Sequence, residues 1–220
     1  MNPLRFYRST IGKRNIMAVT GIIGIAFLIV HMAGNLQVFE GADKLNTYAH
    51  FLHGPANELL WVLRVVLIVA VVLHVVMAWQ VTMRNRAARP VGYQKREPQV
   101  STLASKTMRW GGVLLLVFIV FHILHFTTRD IQLAGPVADG DVFGNVVGSF
   151  RIWWVTAFYT VAMIFLGLHL WHGAWSSVRT TGMRGPSPRP LVRNVAGVIA
   201  LIIAVGFAVV PLAVFFGWLP

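Results

Sequence analysis

Five apolar stretches of roughly 20 residues or more occupy most of the chain, and about 20 apolar residues are what a helix needs to cross the hydrocarbon core of a bilayer. The spans are predicted at 15–38, 57–84, 108–128, 151–178 and 191–217. Runs such as Val65-Val66-Leu67-Ile68-Val69-Ala70-Val71-Val72-Leu73 show no alternation of polarity. That excludes transmembrane barrel strands and leaves the helix, which satisfies its own backbone groups in lipid. At 56% hydrophobic and 12% charged residues, the 220-residue chain does not have the composition of a water-soluble domain. The expected fold is an all-α integral membrane bundle of five transmembrane helices, one domain over residues 1–220. A basic lead-in, Arg5, Arg8, Lys13 and Arg14, precedes the first span. Its apolar core exceeds a signal-peptide h-region and no clear A-x-A-type cleavage site follows, so a retained helix is expected.

Charge assigns an orientation. The N-terminal arm, the 84–109 connection and the 179–193 connection hold 15 of the 19 Lys and Arg residues with a single acid, Glu97. The other six acids, Glu40, Asp43, Glu58, Asp130, Asp139 and Asp141, fall on the opposite side. The bias gives every span the same orientation, with the N-terminus cytoplasmic and the C-terminus outside. The net charge of +12 is thereby accounted for by topology and contact with anionic lipid, with no nucleic-acid partner required; the basic loops are also candidates for docking a cytoplasmic partner. Trp61, Trp110, Trp153 and Trp154 sit near span ends as an interfacial belt does. Residues 184–190, rich in Pro and Arg, read as a short extended connector. The chain has no cysteine, so it forms no disulfide, no thiolate-held iron–sulfur cluster and no covalent c-type haem attachment.

The eight histidines carry the chemistry. An ionisable side chain inside the hydrocarbon is costly and marks a functional site by default. Six fall within predicted spans: His31, His74, His122, His125, His169 and His172. At a rise of about 1.5 Å per residue, His31 and His122 lie about 22 and 21 Å from the cytoplasmic starts of outgoing helices. His74 and His169 lie about 25 Å from the outer starts of returning helices, near the cytoplasmic side of a core about 30 Å thick. Two levels about 15 Å apart result. Each level carries two histidines from different helices, the arrangement that bis-imidazole ligation of two stacked haem b groups demands. Gly24, Gly111, Ala70, Ala78 and Gly173 lie on the faces that carry these ligands and leave room for a porphyrin, although small residues at helix crossings are also common packing devices. For any single buried histidine the competing role is an interhelical hydrogen bond. A structural zinc site is the other competitor, but it would gather its donors at one level.

His125 and His172 each follow a ligand candidate by three residues and compete with it for the iron; hydrogen bonds to haem propionates or neighbouring helices are their alternative role. Arg64, in the outer half of the second span, is a candidate propionate partner, with snorkelling to the outer surface as the alternative. His50 and His53, near the outer interface, are candidates for quinone hydrogen bonding or proton exchange, or else exposed loop histidines.

The segments Gly12-Lys13-Arg14-Asn15-Ile16-Met17-Ala18-Val19-Thr20-Gly21 and Phe27-Leu28-Ile29-Val30-His31-Met32-Ala33-Gly34-Asn35 are followed by Val72-Leu73-His74, Phe121-His122 and Leu168-His169-Leu170-Trp171-His172-Gly173-Ala174-Trp175. In this order the chain resembles the cytochrome b558 family, the five-helix di-haem membrane anchors of succinate:quinone oxidoreductases and quinol:fumarate reductases. The resemblance implies a proximal haem b on His74 and His169 and a distal haem b on His31 and His122. It also implies partnership with an iron–sulfur subunit and a flavoprotein subunit, menaquinone as the quinone, and an oligomer of complexes as one form of assembly. Arg109 stands where the family tends to carry an arginine. In some members an acidic residue after the first helix serves quinone or proton chemistry, and here His53 takes that place. Rival readings are a di-haem anchor of a hydrogenase or formate dehydrogenase, an anchor of the same fold without haem, and a histidine-lined transporter or proton channel.

Overall fold

The computed structural model describes residues 2–88, 103–136, 138–182 and 189–219. Among them are eight α-helices and no strand: α1 Pro3–Arg8, α2 Thr10–Leu36, α3 Ala42–His53, α4 Asn57–Ala87, α5 Leu103–His122, α6 Val142–Phe150, α7 Trp153–Thr180 and α8 Arg189–Phe215. Five segments, Thr10–Glu40, Asn57–Ala87, Leu103–Thr127, Trp153–Thr180 and Pro190–Phe215, are long and apolar enough to cross a membrane. Arg89, Lys95, Arg96 and Glu97 of the second basic connection lie outside the described residues, as does most of the 184–190 connector.

The long helices alternate in direction: Lys13 near the start of α2 meets Gln80 near the end of α4, Gly112 and Phe118 of α5 lie against His169 and Phe158 of α7, and Gly197 and Ala204 of α8 lie against Trp171 and Gly167 of α7. α7 is central, packed by α8, α5 and α2, while α2 also packs α4 and α8. Neither diagonal pair, α4 with α7 or α2 with α5, is among the closely packed helix pairs. Much of the outer surface is aliphatic, including Val62, Val65, Val69, Val117, Ile164 and Ile202, which are all exposed. Such a surface suits lipid, where burying apolar groups supplies little drive for helix association and packing of small residues and polar contacts matter more. Gly167 illustrates this: a Cβ there would stand 3.0 Å from Ala204 of α8.

One end of the bundle is closed by the two short helices α3 and α6. Asp141 caps α6 by accepting from the Gly144 N–H at 2.8 Å. Asn46 of α3 donates to Asp141 at 3.1 Å and accepts from the Phe143 N–H at 2.9 Å, so one amide ties the two caps together. Beneath them Val38, Leu45, Val146, Val147, Phe150, Val155, Tyr159, Val210, Ala213 and Val214 form the larger of two buried apolar clusters. At the opposite end Ser9 caps α2 by accepting from the Gly12 N–H. Gly12 is required there, since a Cβ would fall 1.9 Å from the Phe6 carbonyl oxygen of α1. Buried Lys13 bonds Gln80 of α4, and Gln80 donates to the Tyr7 hydroxyl at 3.2 Å.

α5 does not end as an α-helix. Ile123–Thr127 form a π-helical turn, with the Thr128 N–H donating to the Ile123 carbonyl at 2.9 Å. Such turns are rare, and they re-aim the side chains around them. This one begins immediately after His122 and contains His125.

Candidate functional site

The four long helices around the two open diagonals carry the histidines inward. His31 of α2 faces His122 of α5 across one diagonal, with ring centroids 5.9 Å apart. His74 of α4 faces His169 of α7 across the other, at 6.1 Å. Two imidazoles on opposite sides of one metal, each with its nitrogen about 2 Å away, have centroids about 6 Å apart. The spacing fits axial ligation, and it occurs between helices whose backbones stand apart. All four rings remain partly exposed inside the bundle, as side chains bordering open volume do. Among the described residues no three His, Asp or Glu side chains converge as a metal cluster, so the histidines meet in pairs.

Because α2 and α5 run toward the α3/α6 end and α4 and α7 run away from it, the pairs occupy different heights. His31 and His122 form a cap level near α3 and α6, and His74 and His169 form an N-terminal level.

Ring nitrogens distinguish the levels further. At the N-terminal level His74 Nδ1 lies 3.0 Å from the Met17 carbonyl oxygen. A carbonyl only accepts, so Nδ1–H donates and Nε2 of the neutral ring keeps its lone pair. This is the pattern that orients metal-bound histidines. The Thr20 hydroxyl adds a longer contact to the same nitrogen at 3.3 Å. Gly21 lets the ring lie against α2, since a Cβ there would stand 3.3 Å from His74 Cε1. His169 Nδ1 and His172 Nδ1 are both buried and have no hydrogen-bond partner among the described residues. A buried unpartnered nitrogen is costly unless a further group takes it.

At the cap level the ring of His31 stacks on Phe27 at 5.1 Å and meets Phe207 at 5.7 Å. His122 stacks on Phe118 at 5.7 Å, and its Nδ1 lies 3.4 Å from the Tyr159 hydroxyl. His125 is buried with both nitrogens occupied: Nδ1 is 3.0 Å from the Tyr159 hydroxyl and Nε2 is 3.0 Å from the Ser149 hydroxyl. Ser149 in turn donates to Asn145 Oδ1 at 3.3 Å. His125 thus joins α5 to α6 and α7, while His122 of the same helix presents its ring to His31.

The remaining site candidates sit apart from both pairs. Arg64 stacks over Trp61 at 5.1 Å and contacts His53 Nε2 at 3.4 Å. His53 Nδ1 donates to the Ala49 carbonyl at 2.9 Å. His50 and His53 are exposed, and they lie on helix α3, where the sequence suggested a loop. Arg109 is exposed in the first turns of α5. Among the small residues, a Cβ on Gly24 or Gly173 would meet nothing within 4 Å, whereas Gly111 packs against Phe165 at 3.1 Å. A Cβ added at Gly21 or Gly112 would instead stand beside a ligand-candidate ring, at Gly112 3.8 Å from His169 Cε1. Met17, Tyr159 and Ser149 were not singled out by the sequence, although Met17 and Thr20 fall in the motif before the first histidine and Tyr159 lies ten residues before His169 on the same helix.

No protein-family model and no solved structure matches the chain. It is 24% identical over 209 residues to the succinate dehydrogenase cytochrome b558 subunit of Bacillus subtilis strain 168, a match covering 93% of this chain and 95% of that protein. With five helices long and apolar enough to span a bilayer and a likeness that runs nearly the full length of both chains, this integral membrane protein is similar to that succinate dehydrogenase cytochrome b558 subunit.

Proposed function

We propose that the chain is the di-haem cytochrome b anchor of a succinate:quinone oxidoreductase, a single transmembrane haem-binding domain over residues 1–220. The observation that carries this reading is the pair of facing imidazole couples, centroids 5.9 and 6.1 Å apart, at two heights across the two unpacked diagonals. His31 and His122 would hold the distal haem b, and His74 and His169 would hold the proximal one. Bound there, haem b supplies one-electron transfer, linking the iron–sulfur centres of a cytoplasmic partner to a quinone, of which menaquinone is the choice the family resemblance implies.

The chain's own residues hold and orient. The Met17 carbonyl fixes the His74 ring by accepting from Nδ1, and the Tyr159 hydroxyl meets Nδ1 of His122, so both rings direct Nε2 away from those partners. Phe27, Phe118, Phe126 and Phe207 pack their rings against the cap-level pair. In the charge-derived orientation the cap level faces outside and the N-terminal level faces the cytoplasm. Arg84, Arg86 and Arg109 then lie on the cytoplasmic side, where an iron–sulfur subunit carrying a flavoprotein would dock. His53 and Arg64, in contact near the cap end, are the groups offered to a quinone or its protons.

A reduced-minus-oxidised spectrum of the purified subunit with pyridine haemochrome quantification tests the reading. Two haems b per chain are expected, and a chain isolated from its native membrane without haem would overturn it.

A further inference from the structure

The buried chain beyond His122 has no part in holding a ligand directly, yet its hydrogen bonds can run in one direction only once His122 binds iron. His122 with Nε2 on a metal must carry its proton on Nδ1 and donate to the Tyr159 hydroxyl oxygen. Tyr159 has one hydroxyl hydrogen, and among the described residues its one other polar partner is His125 Nδ1, so Tyr159 donates there. His125 must then accept on Nδ1, carry its own proton on Nε2 and donate it to Ser149. Ser149 passes its hydrogen to Asn145. The series His122, Tyr159, His125, Ser149, Asn145 is therefore polarised end to end, with every donor aimed away from the iron position. His125 and Ser149 are 1% and 0% exposed, so water does not compete with these bonds. In such dry surroundings each bond strengthens the next.

We propose that His125 is a positioning residue for the cap-level ligand: through Tyr159 it fixes the proton on Nδ1 of His122 and so raises the electron donation of that ring to iron. The inference rests on the haem-binding reading above. Among the described residues the N-terminal level has no counterpart, since His74 is held by a main-chain carbonyl and His172 Nδ1 meets no partner there. His122 and His125 flank the start of the π-turn, three residues apart on one chain, and both reach the same hydroxyl. A better-polarised acceptor on Nδ1 makes the ligand more basic and favours the ferric state, lowering the midpoint potential.

The test is a potentiometric titration of the assembled complex, following the two haem b absorbance steps in four forms of the protein. Tyr159→Phe removes the acceptor and is expected to shift one step to higher potential while the other stays in place. His125→Leu keeps Tyr159 but removes its acceptor, and is expected to move the same step in the same direction by less. His125→Asn retains an acceptor at the Nδ1 position and is expected to return that step toward the unmodified value. Two intact haems with both steps unmoved in Tyr159→Phe and His125→Leu, or His125→Asn indistinguishable from a shifted His125→Leu, would overturn the proposal. Should Tyr159→Phe fail to assemble, the Leu and Asn forms decide between them. Haem content unchanged in His122→Ala would instead show that the haem reading itself is wrong.

Discussion

At the N-terminal level a ligand candidate is held by main chain: the Met17 carbonyl accepts from His74, and Gly21 lets the ring rest against α2. At the cap level the corresponding work is done by the buried side chains Tyr159, His125 and Ser149. The ring gaps are nearly equal, 6.1 and 5.9 Å. Spacing is thus set by the helices, and what differs is how each level fixes proton position. A backbone carbonyl cannot be lost by mutation, whereas a side-chain series can be adjusted at each of its members.

The largest effects separate the levels outright. His74→Ala and His122→Ala should each remove one of two haems, halving pyridine haemochrome per chain while leaving the other level's absorbance. Loss of both haems in either form would show that the levels do not fill independently. Next comes the contrast between the two histidines that follow the ligands. His125→Ala leaves the Tyr159 hydroxyl hydrogen without its acceptor in a dry interior, at about 1–3 kcal/mol, and should lower thermal stability of the detergent-solubilised protein with both haems retained. His172→Ala removes a nitrogen that has no partner among the described residues and should change stability much less. A smaller effect is expected from Gly21→Ala, where the new Cβ would press His74 from 3.3 Å and shift the potential of one haem only. Gly112→Ala, at an ordinary 3.8 Å, should leave both haems unchanged. The smallest is Thr20→Val: the 3.3 Å contact to His74 is lost, the Met17 carbonyl remains, and haem content should be unaltered.

The bundle was legible because a membrane admits few backbone solutions and each apolar run has the length of a span. The histidine pairing was legible for a related reason: a helix advances by a fixed rise, so depth follows from counting. Rotation was less secure. Counting by 100° per residue assumes an unbroken α-helix, and the π-turn at Ile123–Thr127 alters the relation between His122 and His125. The same limit affects the glycines, where Gly111 meets Phe165 and its neighbour Gly112 meets His169. The helices α3 and α6 are too short to show as spans, although Asp141 as a cap before Val142, Val146, Val147 and Phe150 carries the signal of an amphipathic helix start. Tyr159 and Ser149 had no sequence signature at all, since their role comes from the neighbours that tertiary packing gives them.

The account depends on porphyrin iron between the facing imidazoles, and a density map of the assembled complex tests that most directly. It should show two planar tetrapyrroles at different heights, one with iron between His31 and His122 and one with iron between His74 and His169. Side chains or lipid filling the space between either pair of rings would contradict it.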